Sequence, residues 1–124
     1  MDSSSTYNHS PYRLVPKPWG HEVWFAFTDR YVGKILHINS GESLSLQYHN
    51  QKDESIMVLS GELSLWLEDE VGQLQEHLLQ TGQAQRILPQ QRHRMVAMTD
   101  VEICEVSTPE VDDVVRLEDK YGRS

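Results

Sequence analysis

Disulfides, membrane-spanning runs and a surplus of positive charge are all missing from this sequence, and each absence narrows what the chain does. Its 124 residues include one cysteine, Cys104, so no disulfide can form within the chain. That agrees with a reducing compartment. Cys104 lies in the apolar run Val101-Glu102-Ile103-Cys104-Glu105-Val106 and reads as a small buried side chain rather than a reactive thiol. No apolar stretch approaches the about 18 residues that cross a bilayer. Residues 1–10 are polar and lack the apolar run of a signal peptide, so a cytoplasmic location is expected. Lys and Arg number 11 against 19 Asp and Glu, a formal net charge of −8. Nucleic acid and anionic membranes both require a basic surface and are not expected as partners. An anionic small molecule stays compatible, because its binding depends on local rather than global charge.

The length suits one domain with one core. Residues 1–12, rich in Ser and Asn, read as a flexible tail, and residues 13–124 as the folded domain. Short apolar or alternating runs follow at 21–27, 32–38, 43–49, 55–59, 63–67, 75–79, 85–88, 94–98 and 101–106. The breaks between them carry Gly, Asn, Asp or Pro, as at Asn39-Ser40-Gly41, Ser60-Gly61 and Thr81-Gly82. Strands recurring at such spacing predict an all-β sandwich or barrel. Alternation such as Leu63-Ser64-Leu65-Trp66-Leu67 predicts one buried and one wet face. Residues 109–122, acidic at the start and basic later, suit a short closing helix or turn.

The chemistry concentrates in Gly41-Glu42-Ser43-Leu44-Ser45-Leu46-Gln47-Tyr48-His49, followed by Glu54. On a strand, Gln47 and His49 share one face, with Leu44, Leu46 and Tyr48 on the other. Glu54 opens the next strand near His49, and Gly61 permits the turn after it. His93 starts a later strand that an antiparallel barrel can bring to the same place. Gln47, His49, Glu54 and His93 thus form a candidate site for one divalent metal ion. Mixed nitrogen and oxygen donors suit a borderline or hard cation, and three or four protein ligands leave a position for water or substrate.

Gln47, His49, Glu54 and Gly61 fit the offsets of the first motif of the cupin superfamily, which the chain resembles. Glutamine at the first ligand position is typical of the metal-dependent mannose-6-phosphate isomerases, including the isomerase domain fused to mannose-1-phosphate guanylyltransferases. The resemblance runs from Arg13 to Arg123. It rests on Pro18-Trp19-Gly20, the run Leu44 to His49, His93-Arg94, and Val115-Arg116-Leu117-Glu118-Asp119-Lys120-Tyr121-Gly122-Arg123. It implies a double-stranded β-helix (jelly-roll) barrel, one bound ion with zinc the first choice over manganese, iron or nickel, and isomerisation of a sugar phosphate. It also implies that Lys34, like the lysine of the family's early strand, and Arg116, in the closing motif, serve catalysis. Arg86 and Arg94 are expected as substrate contacts. Three departures adjoin the ligands: Gln90-Gln91 where Gly usually follows the proline, Ser55-Ile56 in place of an aromatic residue, and Asn50-Gln51-Lys52 in place of a His-rich stretch.

Trp19, Trp24 and Trp66 are expected in core packing. His37 is expected as a buried neutral histidine, and His21 and His77 on strand surfaces. An alternating apolar outer face allows a homodimer. Two other functions share the fold: a dioxygenase or other small-molecule metalloenzyme, and a sugar-binding or regulatory module without turnover.

Overall fold

The computed structural model describes residues 13–123, so the tail expected at 1–12 lies outside the described residues. Eleven strands make up the described fold: β1 (Arg13–Lys17), β2 (Gly20–Phe27), β3 (Val32–Ile38), β4 (Leu46–Tyr48), β5 (Glu54–Ser60), β6 (Glu62–Glu68), β7 (Leu74–Gln80), β8 (Ala84–Ile87), β9 (His93–Ala97), β10 (Val101–Ser107) and β11 (Val115–Glu118). They form two antiparallel sheets, one ordered β1-β2-β3-β10-β5-β8 and the other β11-β4-β9-β6-β7. Because β3 pairs with β10, and β4 with β9 and β11, the sheets are built from strands distant in sequence. Among the described residues no helix is long and apolar enough to cross a membrane.

The core lies between the sheets and follows the period-two pattern. Leu63, Leu65 and Leu67 of β6 point inward, as do Ile56 and Val58 of β5 and Val101 and Ile103 of β10. Burying each such side chain contributes about 1.5–3 kcal/mol relative to exposure. One end of the core is closed by Trp19, 2% exposed. Gly61 makes the β5–β6 turn with φ +87°, and a Cβ there would lie 2.2 Å from the Asp100 carbonyl oxygen. Only glycine fits both the backbone and the space.

Several sequence expectations need correction. The closing segment, expected as a short helix or turn, forms turns and, beyond that expectation, the strand β11. The strand expected at 43–49 is regular only over Leu46–Tyr48, with an isolated bridge from Ser43 to Val96. That irregularity turns Leu44 into the cavity between the sheets instead of away from it. Leu46 and Tyr48 do line outer grooves. His37 is half-buried on the outer face, stacked on His21 and 3.2 Å from Glu102. Cys104, also half-buried, has its thiol pushed up by burial and by Glu105.

Candidate metal centre

The register of the two sheets assembles the site. In one sheet Arg116 of β11 pairs with Gln47 of β4, and Gln47 pairs with His93 of β9. In the other, Glu54 opens β5 opposite Ser107 of β10 and Ile87 of β8. His49 follows β4 and reaches across the gap. Ligand atoms of His49, Glu54 and His93 all lie within 4.8 Å of one another, and all three residues are buried.

Both imidazoles are held in one orientation. His49 Nδ1 donates to the Asp113 carbonyl at 2.7 Å, and His93 Nδ1 donates to the Gln91 carbonyl at 2.9 Å. Each Nε2 is thereby turned to the site, the usual outer support of a metal-ligating histidine. His49 Nε2 then faces Glu54 Oε1 at 3.1 Å, and neither atom has a hydrogen-bond partner. Two buried lone pairs at that distance require a shared proton or a cation between them.

Gln47 lies at the edge of this group. Its Nε2 is 3.5 Å from His93 Nε2, while Ser45 Oγ donates to its Oε1 at 2.6 Å. A half-turn of the amide exchanges the two atoms and would present the oxygen to a cation held by the cluster.

Electrostatics suit a cation. Burial pushes the Glu54 carboxyl up, but His49, Lys52 and His93 outweigh it and hold the group down at about 2. Burial lowers the His93 imidazole below its ordinary value, which favours the neutral form that a ligand needs.

Around the ligands lies a set of buried charges that the motif does not announce. Lys52 Nζ sits 3.6 Å from Glu54 Oε1 and 3.0 Å from Glu105 Oε2, and Lys34 Nζ is 3.4 Å from Glu22 Oε1. Lys34 also lies over the Trp24 ring at 4.2 Å, and Trp24 Nε1 donates to Glu22. Burial works against the Lys52 ammonium, yet Glu105 and Glu54 raise its pKa overall. Burial and the Glu54 charge raise the Glu105 carboxyl, and the two lysines offset only part of that.

The C-terminal segment covers the mouth. Val111, Val114, Arg116 and Arg123 line the cavity with the ligands. Asp113 ties this segment to the metal loop: its carboxylate accepts the backbone N–H groups of Asn50, Gln51 and Lys52 at 3.1, 2.6 and 3.1 Å. Arg123 is clamped by Asp119 through two 3.0 Å contacts. The departure at Gln90 has a structural answer. Gln90 adopts φ +67°, the conformation that favours glycine, and its N–H donates to the His49 carbonyl at 2.5 Å.

Of the residues expected at the site, Gln47, His49, Glu54, Lys34 and Arg116 line this cavity, and His93 joins the ligands. Arg86 and Arg94 do not. Arg86 pairs in register with Ser55, points outward and binds Asp53 through 2.6 and 3.0 Å contacts. Arg94 follows the inward His93, so alternation turns it to an outer groove beside Trp66, where it contacts Glu118. Trp66 shares that groove and Trp24 is half-buried, so Trp19 is the tryptophan of the core. Sequence reasoning missed Glu22, Lys52, Glu105, Asp113 and Arg123. For Lys52 and Glu105 a signal existed: each is in phase with buried apolar neighbours, Lys52 with Ile56 and Val58, Glu105 with Val101 and Ile103.

A small two-sheet β-barrel with a His–Glu–His cluster and an adjoining glutamine between its sheets defines a cupin. The chain belongs to the family described as mannose-6-phosphate isomerase C-terminal, whose model matches residues 4–119. It is 30% identical over 126 residues to the mannose-1-phosphate guanylyltransferase ManC of Salmonella typhimurium, covering 99% of this chain and 26% of that protein. The alginate biosynthesis protein AlgA of Pseudomonas aeruginosa is 32% identical, with 98% of this chain and 24% of that protein covered. The chain therefore spans about a quarter of the length of these relatives. Among solved structures, KdgF from Halomonas sp. superposes with a TM-score of 0.71 at 21% identity, covering 86% of this chain and 94% of that one. The oxalate decarboxylase of Bacillus subtilis gives a TM-score of 0.75 at 13% identity, over 86% of this chain and 30% of that one. These two likenesses concern the fold alone.

Proposed function

We propose that this domain is a metal-dependent sugar-phosphate isomerase that interconverts an aldose and a ketose, with mannose 6-phosphate and fructose 6-phosphate as the pair to test. The observation that carries the reading is the His49–Glu54 contact, two buried acceptors 3.1 Å apart beside His93, in a chain of the mannose-6-phosphate isomerase C-terminal family. Zinc is the proposed ion, held by His49, Glu54, His93 and the Gln47 amide oxygen. When bound, such an ion supplies positive charge for the substrate oxygen that turns anionic as the neighbouring carbon loses its proton.

The remaining work falls to the chain itself. His49 and His93 offer Nε2 as the ligand atom because their Nδ1 protons are committed to carbonyls. Arg116, beside Gln47 in the sheet, holds the phosphate at the cavity mouth. Lys34, fixed by Glu22 against Trp24, presents a positive charge to the substrate oxygens from the cavity wall. Trp19, Leu36 and Met95 form an apolar wall that limits water around the reacting carbons.

A coupled assay with mannose 6-phosphate on metal-loaded protein tests the proposal. Turnover is expected, together with one equivalent of metal by elemental analysis. His49→Ala and His93→Ala are each expected to lose both. Metal-loaded protein that binds the sugar phosphate without converting it at high enzyme concentration favours the sugar-binding reading instead. That reading draws on the altered Asn50-Gln51-Lys52 stretch beside the ligands.

A further inference from the structure

Isomerisation needs a group that takes a proton from one carbon and returns it to the next, and the metal ligands do not provide it. Glu54 would be taken up as a ligand of the proposed ion, and both ligand imidazoles have their Nδ1 protons engaged by carbonyls. Glu22 accepts from Trp24 Nε1 at 2.8 Å and pairs with Lys34. Lys34 and Lys52 are ammonium groups facing carboxylates. The third carboxylate of the cavity wall, Glu105, has an ion-pair partner in Lys52 but, unlike Glu22, no hydrogen-bond donor aligned on its Oε2.

We propose that Glu105 is the proton-transferring residue of this site. This deepens the isomerase reading and rests on it. β10 is the central link between β3 and β5, and Glu105 stands in register with Lys34 on one side and Ile56 on the other. Its side chain points into the cavity with the ligands, 5% exposed. Glu105 Oε2 is buried, and no donor is aligned on it as a hydrogen bond, although Lys52 Nζ lies 3.0 Å away as an ion-pair partner. The same ammonium lies 3.6 Å from Glu54 Oε1. A single lysine thus bridges the Glu105 carboxylate and the ligand Glu54, which keeps this carboxylate in the same cavity as the ligand cluster.

The step balances without any oxidant or co-reactant. The Glu105 carboxylate takes the proton from C2 of the aldose. The C2–H electron pair becomes the C1–C2 double bond, and the carbonyl oxygen on C1 becomes anionic. Glu105 then returns the proton to C1 as the C2 hydroxyl loses its own proton to the C1 oxygen, directly or through water, and the carbonyl forms at C2. Lys52 holds the carboxylate in place through both halves.

The test compares wild type, Glu105→Gln and Glu105→Asp with mannose 6-phosphate. Wild type is expected to turn over. Glu105→Gln is expected to keep stoichiometric metal and a KM within about threefold, and to lose kcat by about 100-fold or more, the range general acid–base catalysis supplies. In D2O, wild type is expected to wash deuterium into the C1 and C2 positions of recovered sugar, and Glu105→Gln to incorporate none. Glu105→Asp, which keeps the charge but withdraws the oxygen, is expected to retain metal and KM with kcat lowered at least tenfold. If wild type is active and either soluble variant matches its kcat within about threefold, Glu105 is not the base. If metal-loaded wild type neither turns over nor exchanges deuterium, the isomerase reading fails and the role of Glu105 fails with it.

Discussion

Replacing Lys52 by Met isolates what the buried charge network contributes. The Lys52 side chain is 7% exposed, and it is the ammonium that Glu54 and Glu105 share, at 3.6 and 3.0 Å. Methionine keeps most of the volume and removes the charge. Two carboxylates, 2% and 6% exposed, then face each other through a low-dielectric interior. Removing one partner from a buried ion pair costs about 3–5 kcal/mol. For a domain of this size that corresponds to a fall in Tm of about 10–20 °C in the metal-free protein. The loss should grow as pH rises above the ordinary carboxylate range, because the Glu105 carboxyl, already raised by burial and by the Glu54 charge, loses one of the lysines that offset this, and its ionisation then opposes folding. Zinc should reverse much of it. The ammonium that repels the ion is gone, so the variant binds metal more tightly and gains more Tm per equivalent than wild type. Calorimetry of chelator-treated and zinc-loaded samples of both proteins measures each quantity. A metal-free variant melting within about 2 °C of wild type would refute the electrostatic account, as would a smaller zinc-induced gain.

Acid should weaken the metal-free fold in two stages. His93 has a folded pKa below its ordinary 6.5, so stability falls as pH drops through that value and the unfolded chain takes up the proton. Glu54, held at about 2 against an ordinary 4.5, contributes stability that is present above pH 4.5 and lost between there and about pH 2; urea midpoints that stay flat from pH 7 to pH 3 would contradict both. Gly61→Ala should lower stability by about 1–3 kcal/mol, because it combines φ +87° with a Cβ 2.2 Å from a carbonyl oxygen; an unchanged denaturation midpoint counts against the turn geometry. A homodimer is predicted through the outer face of β2, β3, β10 and β5, where Phe25, Met57, Leu59 and Val106 are 39–54% exposed. Light scattering should give twice the chain mass for wild type and the chain mass for Val106→Glu, whereas a monomeric wild type at about 100 μM removes this surface as the interface.

The fold was legible where burial is one-sided. β6 reads as a strand because Leu63, Leu65 and Leu67 alternate with residues that face outward or toward β7, and β3 and β10 follow the same rule. β1 and β11 escaped because both are sheet edges with little to bury. Pro16 inside β1 reads as a strand breaker, yet an edge strand tolerates it because the missing N–H faces no neighbour. β11 pairs with β4 through a register shift between Arg116 and Glu118, which blurs its alternation. The metal ligands were legible because three of them cluster within eight residues. Asp113 was not, because its hold on His49 links positions 64 apart and depends on which strands become neighbours.

The buried charges explain why the ligand motif alone understates the site. On β3, β5 and β10, positions in phase with core residues predict apolar side chains, but Lys34, Glu54 and Glu105 occupy such positions. With Lys52 just before β5, they break the pattern at one end of the cavity, next to His49 and His93. Desolvating charges opposes folding unless each is paired, and even paired they stabilise less than well-packed apolar side chains. A chain selected for stability alone has no use for several of them around one small cavity. Their concentration beside the ligands is the sequence-level mark of chemistry, readable as charge in phase with a hydrophobic stripe. On this argument Arg86 and Arg94, both out of phase with their strands' inward positions, do not carry that mark, whereas Glu105 does.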